Sequence, residues 1–144
     1  MSEFDKCVKR GGLKQFSEVG RDAVAAELRS AQSDLADTIF LVAHDMPKRT
    51  TITAYYAMFH AARAAVLARG YAEKSHYCLL VAFREFYADT EEGRELALGI
   101  ERARVLRENA DYHETFSQEA AEAALVVATR FVAFVESRVE SELL

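Results

Sequence analysis

Ala54-Tyr55-Tyr56-Ala57-Met58-Phe59-His60-Ala61-Ala62-Arg63 lies inside a run over residues 50–69 that contains neither proline nor glycine. Ile52, Tyr55, Phe59, Ala62 and Val66 recur at helical spacing and form one stripe. Tyr56, His60, Arg63 and Leu67 form a second stripe beside it. Ala54, Ala57, Ala61, Ala64, Ala65 and Ala68 leave little bulk on the rest of the surface, so a neighbouring helix can approach closely. Gly70 follows as a C-terminal glycine. The stretch therefore reads as a helix at the centre of an all-α fold.

The flanking segments carry the same period. Upstream, residues 17–44 place Val24, Leu28, Ala31, Leu35, Ile39 and Val42 on one stripe, with Ser17-Glu18 as cap and early acid. Asp45-Met46-Pro47 ends that helix, because proline disfavours helix in the residue before it. Downstream, a helix opens at Ser75 and places His76, Leu79, Leu80, Phe83, Phe86 and Tyr87 on one face. After an acidic turn with Gly93, residues 92–110 turn Leu96, Ile100, Ala103 and Leu106 inward. Ser117-Gln118-Glu119-Ala120-Ala121 starts the last helix, which has two apolar stripes. One is Ala124, Val127, Phe131 and Phe134; the other is Leu125, Ala128, Val132, Val135 and Val139. A face that wide is central in a bundle or shared with a second subunit. No segment alternates like a strand and no repeat is visible. The expected fold is all-α, an up-and-down bundle of four to five helices over 17–144. A flexible basic arm over 1–16 precedes it, with Lys6, Lys9, Arg10 and Lys14 around Gly11-Gly12.

Composition agrees. A chain of 144 residues, 51% hydrophobic with one proline and six glycines, suits a single regular domain. The net charge of −5 argues against a protein that coats DNA regardless of sequence, though not against a small cationic site. Cys7 and Cys78 lie far apart without a zinc spacing, which reads as free thiols in a cytoplasmic protein. No apolar run resembles a signal peptide or a membrane span. No metal site and no cofactor are expected: phosphate loops, dinucleotide fingerprints, HExxH and Glu-x-x-His pairs are missing from the sequence. Acidic residues such as Glu136, Glu140 and Glu142 read as solvated helix faces.

Chemistry falls to few residues. His44 reads as a C-terminal cap. His60, one turn from Tyr56 and Arg63, belongs to a polar network between helices or to the wall of a site. His76 stands at a helix start, where the dipole favours a neutral ring but also attracts phosphate. The sharper run is Arg107, Glu108, Asn109, Ala110, Asp111, Tyr112 and His113. On a continuous helix, side chains six apart diverge by about 120°. If the helix ends between them, at low-propensity Asn109 and Asp111, His113 can fold back toward Arg107. The pair then suits RNA cleavage without metal, with imidazole moving protons and guanidinium stabilising the phosphate. Otherwise Arg107 pairs with Asp111 at i, i+4 and His113 is an exposed loop residue.

Taken together, the tyrosine-rich helix, Gly70 with Lys74-Ser75-His76, residues 107–112 and the Ala/Glu-rich last helix resemble the HEPN domain family. The likeness covers about residues 17 to 140 and is closest to the compact stand-alone prokaryotic members. It implies a helical bundle that often dimerises, and often a metal-independent endoribonuclease using an Arg and a His four to six residues apart. Arg107 and His113 fit that spacing, with Asp111 or Asn109 orienting them. Glu108 stands after the arginine, where its carboxylate opposes phosphate. The resemblance also implies an RNA substrate, a homodimer, and a toxin role opposed by a minimal nucleotidyltransferase as antitoxin. The alternative is a catalytically silent module that binds nucleotide, RNA or the nucleotidyltransferase. Its binding residues would be Tyr56, His60, Arg63, His76 and Tyr112.

Overall fold

The computed structural model describes residues 1–18 and 20–143; residues 19 and 144 lie outside the described residues. The element order is α1 (Glu3–Lys9), β1 (Leu13–Gln15), α2 (Arg21–Ala43), α3 (Pro47–Ala68), β2 (Tyr71–Glu73), α4 (His76–Tyr87), α5 (Glu91–Tyr112) and α6 (Gln118–Leu143). The expected count of four to five helices rises to six among the described residues, with a two-stranded antiparallel sheet added.

α3 is the axis, packing against α2, α4, α5, α6 and β2. Ala54, Ala57, Ala61, Ala64 and Ala65 are fully buried, so the small side chains do admit close neighbours. Pro47 opens α3 rather than merely ending α2, because its missing N–H is one the first helical turn leaves unpaired anyway. The hydroxyls of Thr50 and Thr51 donate to the carbonyls of Met46 and Pro47, at 2.7 and 2.8 Å, and so are satisfied although buried.

α2 begins at Arg21 after Gly20, not at Ser17-Glu18. Phe16 N–H is bonded to Gly70 O at 2.8 Å, which holds the chain beside the end of α3 before the helix can start. Its C-terminus is a Schellman turn: Asp45, at φ +54°, is left-handed, Asp45 N–H donates to Val42 O, and Met46 N–H donates to Leu41 O. His44 caps it as expected, Nδ1–H donating to Phe40 O at 2.8 Å. Val24, Ala31 and Thr38 face inward, whereas Ile39 is 53% exposed and leaves the expected stripe.

Ser75, Thr90 and Ser117 each accept a backbone N–H three residues on, from Cys78, Gly93 and Ala120, and so cap α4, α5 and α6. The broad apolar face of α6 packs on α2, α3 and α5, which makes that helix central.

The N-terminal segment corrects three expectations. Residues 1–16 are not a frayed arm: α1 has a Ser2/Asp5 capping box, Cys7 is fully buried and Leu13 is 2% exposed. β1 pairs with β2 in the register Leu13↔Glu73, Lys14↔Ala72 and Gln15↔Tyr71. Strands of three residues are too short to show alternation in a sequence. Cys7 and Cys78 form a disulfide with Cα atoms 5.8 Å apart, and no cysteine is free among the described residues. The thiols therefore offer no argument about compartment. Among the described residues no helix is long and apolar enough to cross a membrane.

Candidate functional site

α5 does not break between Arg107 and His113. It is helical through Tyr112, and His113 is its exposed C-cap at φ −121°, ψ 3°. The two side chains therefore diverge by about 120° and do not meet within the chain. Low propensity at Asn109 and Asp111 is overridden by burial of Ala110, which is 0% exposed. The Asn109 carbonyl accepts N–H bonds from both His113 and Thr115 at 3.0 Å, which ends the helix there. Lys48 Nζ, 2.7 Å from the Glu114 carboxylate, ties the following turn to the start of α3. Asp111 is exposed and forms no ion pair with Arg107, so the alternative pairing is not seen either.

Arg107 instead turns toward α3. Its Nη2–H donates to the Tyr56 hydroxyl at 3.1 Å. The guanidinium carbon lies 5.6, 5.5 and 5.9 Å from the ring centroids of Tyr55, Tyr56 and Tyr112. Its Nε is buried and has no hydrogen-bond partner, and no carboxylate lies within ion-pair distance of it among the described residues. Glu108, the residue that opposes phosphate, is drawn aside: its carboxylate pairs with Arg104 Nε at 3.3 Å.

His76 completes the cluster from the first turn of α4. Its Nδ1 shares a 3.1 Å hydrogen bond with the Tyr55 hydroxyl, and its ring lies 4.7 Å from that of Phe59. Burial, and then the charges of Arg104, Arg107 and Arg63, hold the imidazole below its ordinary pKa, with Glu108 opposing. Burial raises the Tyr55 hydroxyl against the pull of Arg104 and Arg107, so it stays protonated. A neutral imidazole, a protonated phenol and two guanidinium groups are thus gathered between α3, α4 and α5.

His60 and Arg63 do not join them as free ligand-binding groups. His60 Nδ1–H donates to the Glu27 carboxylate at 2.7 Å, and Nε2 lies 3.7 Å from Asp34. Arg63 pairs with Glu27 at 3.4 Å and Glu73 at 3.0 Å. This is the polar network between helices, and three carboxylates make that side of α3 unfavourable for an anion. Burial raises both Glu73 and Asp34, with Arg63 and His60 respectively countering it. Of the expected residues, Arg107, Tyr56, His76 and Tyr112 come together; His60 and Arg63 are locked in ion pairs; His113, Asp111 and Asn109 stand outside. Tyr55, Phe59 and Arg104 belong to the cluster although the sequence marked the first two as core and passed over the third. The i, i+3 spacing of Arg104 and Arg107 was the available signal. Among the described residues no group of three or more His, Cys, Asp or Glu is placed to hold a metal ion.

A family model described as HEPN domain matches residues 24–138, from α2 into α6, and leaves α1 and β1 outside. The fold is similar to the crystal structure of TT1696 from Thermus thermophilus, with a TM-score of 0.63 at 21% identity over 79% of this chain and 96% of that one. At that identity the likeness speaks for fold alone. No curated protein matches the chain.

Proposed function

We propose, from the premise that this chain belongs to the HEPN domain family, that it binds RNA or a nucleotide at the Arg107 cluster. The observation that carries the reading is a guanidinium held among three tyrosines with no carboxylate, among the described residues, placed to neutralise it. A phosphate oxygen supplies the anionic acceptor such a group lacks, and a planar fork of donors suits it. Tyr112, 69% exposed beside the guanidinium, offers a face on which a base can stack. The family includes ribonucleases and nucleotide-binding modules, so both readings of the sequence stay within it.

The finer proposal is a metal-independent endoribonuclease, a toxin silenced by a minimal nucleotidyltransferase and working as a homodimer. Exposed Leu98 and Val105 on α5 and Val126 on α6 support a second copy as partner. The silent-module reading is favoured by one specific observation, the unbroken helix that keeps His113 from Arg107.

Titration of a fluorescent single-stranded oligoribonucleotide tests the binding. Wild type should bind, Arg107→Ala should bind at least tenfold more weakly, and Glu140→Gln on the remote end of α6 should match wild type. Equal affinity of Arg107→Ala and wild type would sink the assignment.

A further inference from the structure

We propose that His76, held in place by Tyr55, is the proton acceptor for RNA cleavage at the Arg107 cluster. The inference rests on RNA binding there and names the group that the reaction needs.

The four histidines can be sorted by their partners. His44 is occupied in capping α2 and stacks on Phe40 at 4.0 Å. His60 is clamped between Glu27 and Asp34. His113 ends α5 in solvent on a divergent face. His76 alone shares a partner with Arg107: the Tyr55 ring lies under the guanidinium while its hydroxyl meets the imidazole.

In the tautomer whose Nδ1–H donates to the Tyr55 oxygen the Nε2 lone pair is free, and it is in this tautomer that the ring serves as general base. Phe59 packs against the ring and limits its rotation. The charged and titratable groups facing the imidazole are Tyr55 and Arg63 from α3 and Arg104, Arg107 and Glu108 from α5. Three cations against one carboxylate oppose a positive ring, as does burial, and Glu108 is itself paired with Arg104. The imidazole is consequently unprotonated near neutral pH.

The step balances without metal or co-reactant. Nε2 takes the proton of a ribose 2′-hydroxyl as its oxygen bonds to the adjacent phosphorus. Arg107 faces the charge that grows on the non-bridging oxygens. The P–O5′ bond breaks, and the 5′-oxygen leaves with a proton from solvent. The products are a 2′,3′-cyclic phosphate and a 5′-hydroxyl, and His76 returns its proton to water.

The test is cleavage of a 5′-labelled single-stranded RNA by the full chain in EDTA, with binding measured in parallel. Wild type should produce ends carrying the 2′,3′-cyclic phosphate. His76→Ala and His76→Gln should each lose on the order of 100-fold or more in rate while still binding RNA. Glutamine keeps a donor for Tyr55, which guards against loss through misfolding. Tyr55→Phe should lower kcat with KM little changed, as a positioning role demands, and should move the acid limb of the pH–rate profile. In wild type that limb should lie below the ordinary imidazole range, and His44→Gln should leave it unchanged. Wild-type rates in both His76 variants overturn the proposal, as does a loss confined to His113→Ala. Wild-type protein that binds RNA but never cuts it also overturns it and leaves the binding reading intact; failure to bind at all overturns the binding reading instead.

Discussion

Tyr87 and His76 show how a single buried polar atom couples packing to pH. Tyr87 is fully buried, and its hydroxyl donates to Ala65 O at 2.8 Å and lies 3.0 Å from the Glu142 carboxylate. Ala65 needs that donor, because at the end of α3 the Arg69 N–H has turned to Val66 O. Burial, reinforced by Glu142, pushes the phenol far above the ordinary tyrosine range, so the donor is always protonated. Glu142 therefore is not the solvated acid its sequence suggests: it also accepts from Arg69 Nε and Nη2 at 3.1 and 2.9 Å. The apolar stripe makes Tyr87 legible as core, but a partner 55 residues away depends on how α4 and α6 cross. Tyr87→Phe should cost about 1–3 kcal/mol, the range for leaving a buried acceptor without its donor, read as a lower urea midpoint at unchanged m-value. A midpoint equal to wild type would mean the hydroxyl is idle. For His76 the sign follows from its depressed pKa: the unfolded chain binds a proton more readily than the folded one. Its contribution is complete above the ordinary imidazole value of 6.5 and declines as pH falls below it. Asp34 and Glu73, raised by burial, act with the opposite sign, so the raw pH curve mixes the two effects. The difference between wild type and His76→Gln isolates the histidine. It should stay flat from about pH 8 to pH 7 and shift against wild type as pH falls from about 7 to 5, in urea melts at each pH.

At the scale of elements, the long helices are legible because a 3.6-residue period repeated over many turns leaves few alternatives. Their ends are less so, since a cap is a local hydrogen bond competing with whatever else the backbone meets. Ser75 caps α4 as its sequence predicts, yet Ser17 does not cap α2, because Phe16 is bonded across to Gly70. α5 outruns Asn109 and Asp111 because propensity is a weak prior against a buried Ala110. The α1–β1 segment is the part that local pattern could not show: its order comes from pairing with β2 and from a disulfide, both long-range. Arg10 Nη2 lies 3.7 and 3.8 Å from the two sulfurs, and Gly12 presses against Cys78 where a methyl group would collide. The bridge closes a separation of 71 residues, for which loop closure alone predicts roughly 4 kcal/mol. Reduction should therefore lower the melting temperature and first strip hydrogen-exchange protection from residues 13–15 and 71–73. The four long helices should keep theirs at room temperature, because α2, α3, α5 and α6 pack directly on one another while the bridge joins α1 to α4. Protection in the two strands that is indifferent to reductant would show that pairing alone holds them.

The whole molecule is acidic, with 18 Lys and Arg against 23 Asp and Glu, and that sum is legible from composition. What composition cannot show is which cations remain unneutralised. Arg69, Arg84, Arg130, Arg138 and Lys48 are each tied to a carboxylate. Arg107 is held by tyrosines instead, and that depends on the register of α5 against α3, which brings together residues 51 apart. The family resemblance is legible from motifs in order along the chain, and the family match over residues 24–138 agrees. The geometry of the cluster is not, because the same motifs would serve a broken α5 equally well. An acidic body that binds RNA through the Arg107 cluster makes a quantitative demand on that binding. Each phosphate neutralised on a single strand contributes a slope of about −0.7 to log K against log salt. Arg107 contributes one contact and Arg104, partly committed to Glu108, less than another, so the slope should fall between about −0.7 and −1.4. Arg107→Ala should reduce its magnitude by about 0.7, measured by the same fluorescence titration from about 50 to 300 mM salt. A slope several times steeper would require many phosphate contacts, and therefore a cationic surface other than this cluster. A slope near zero would require recognition of the base alone, with Tyr112 rather than Arg107 as the dominant group.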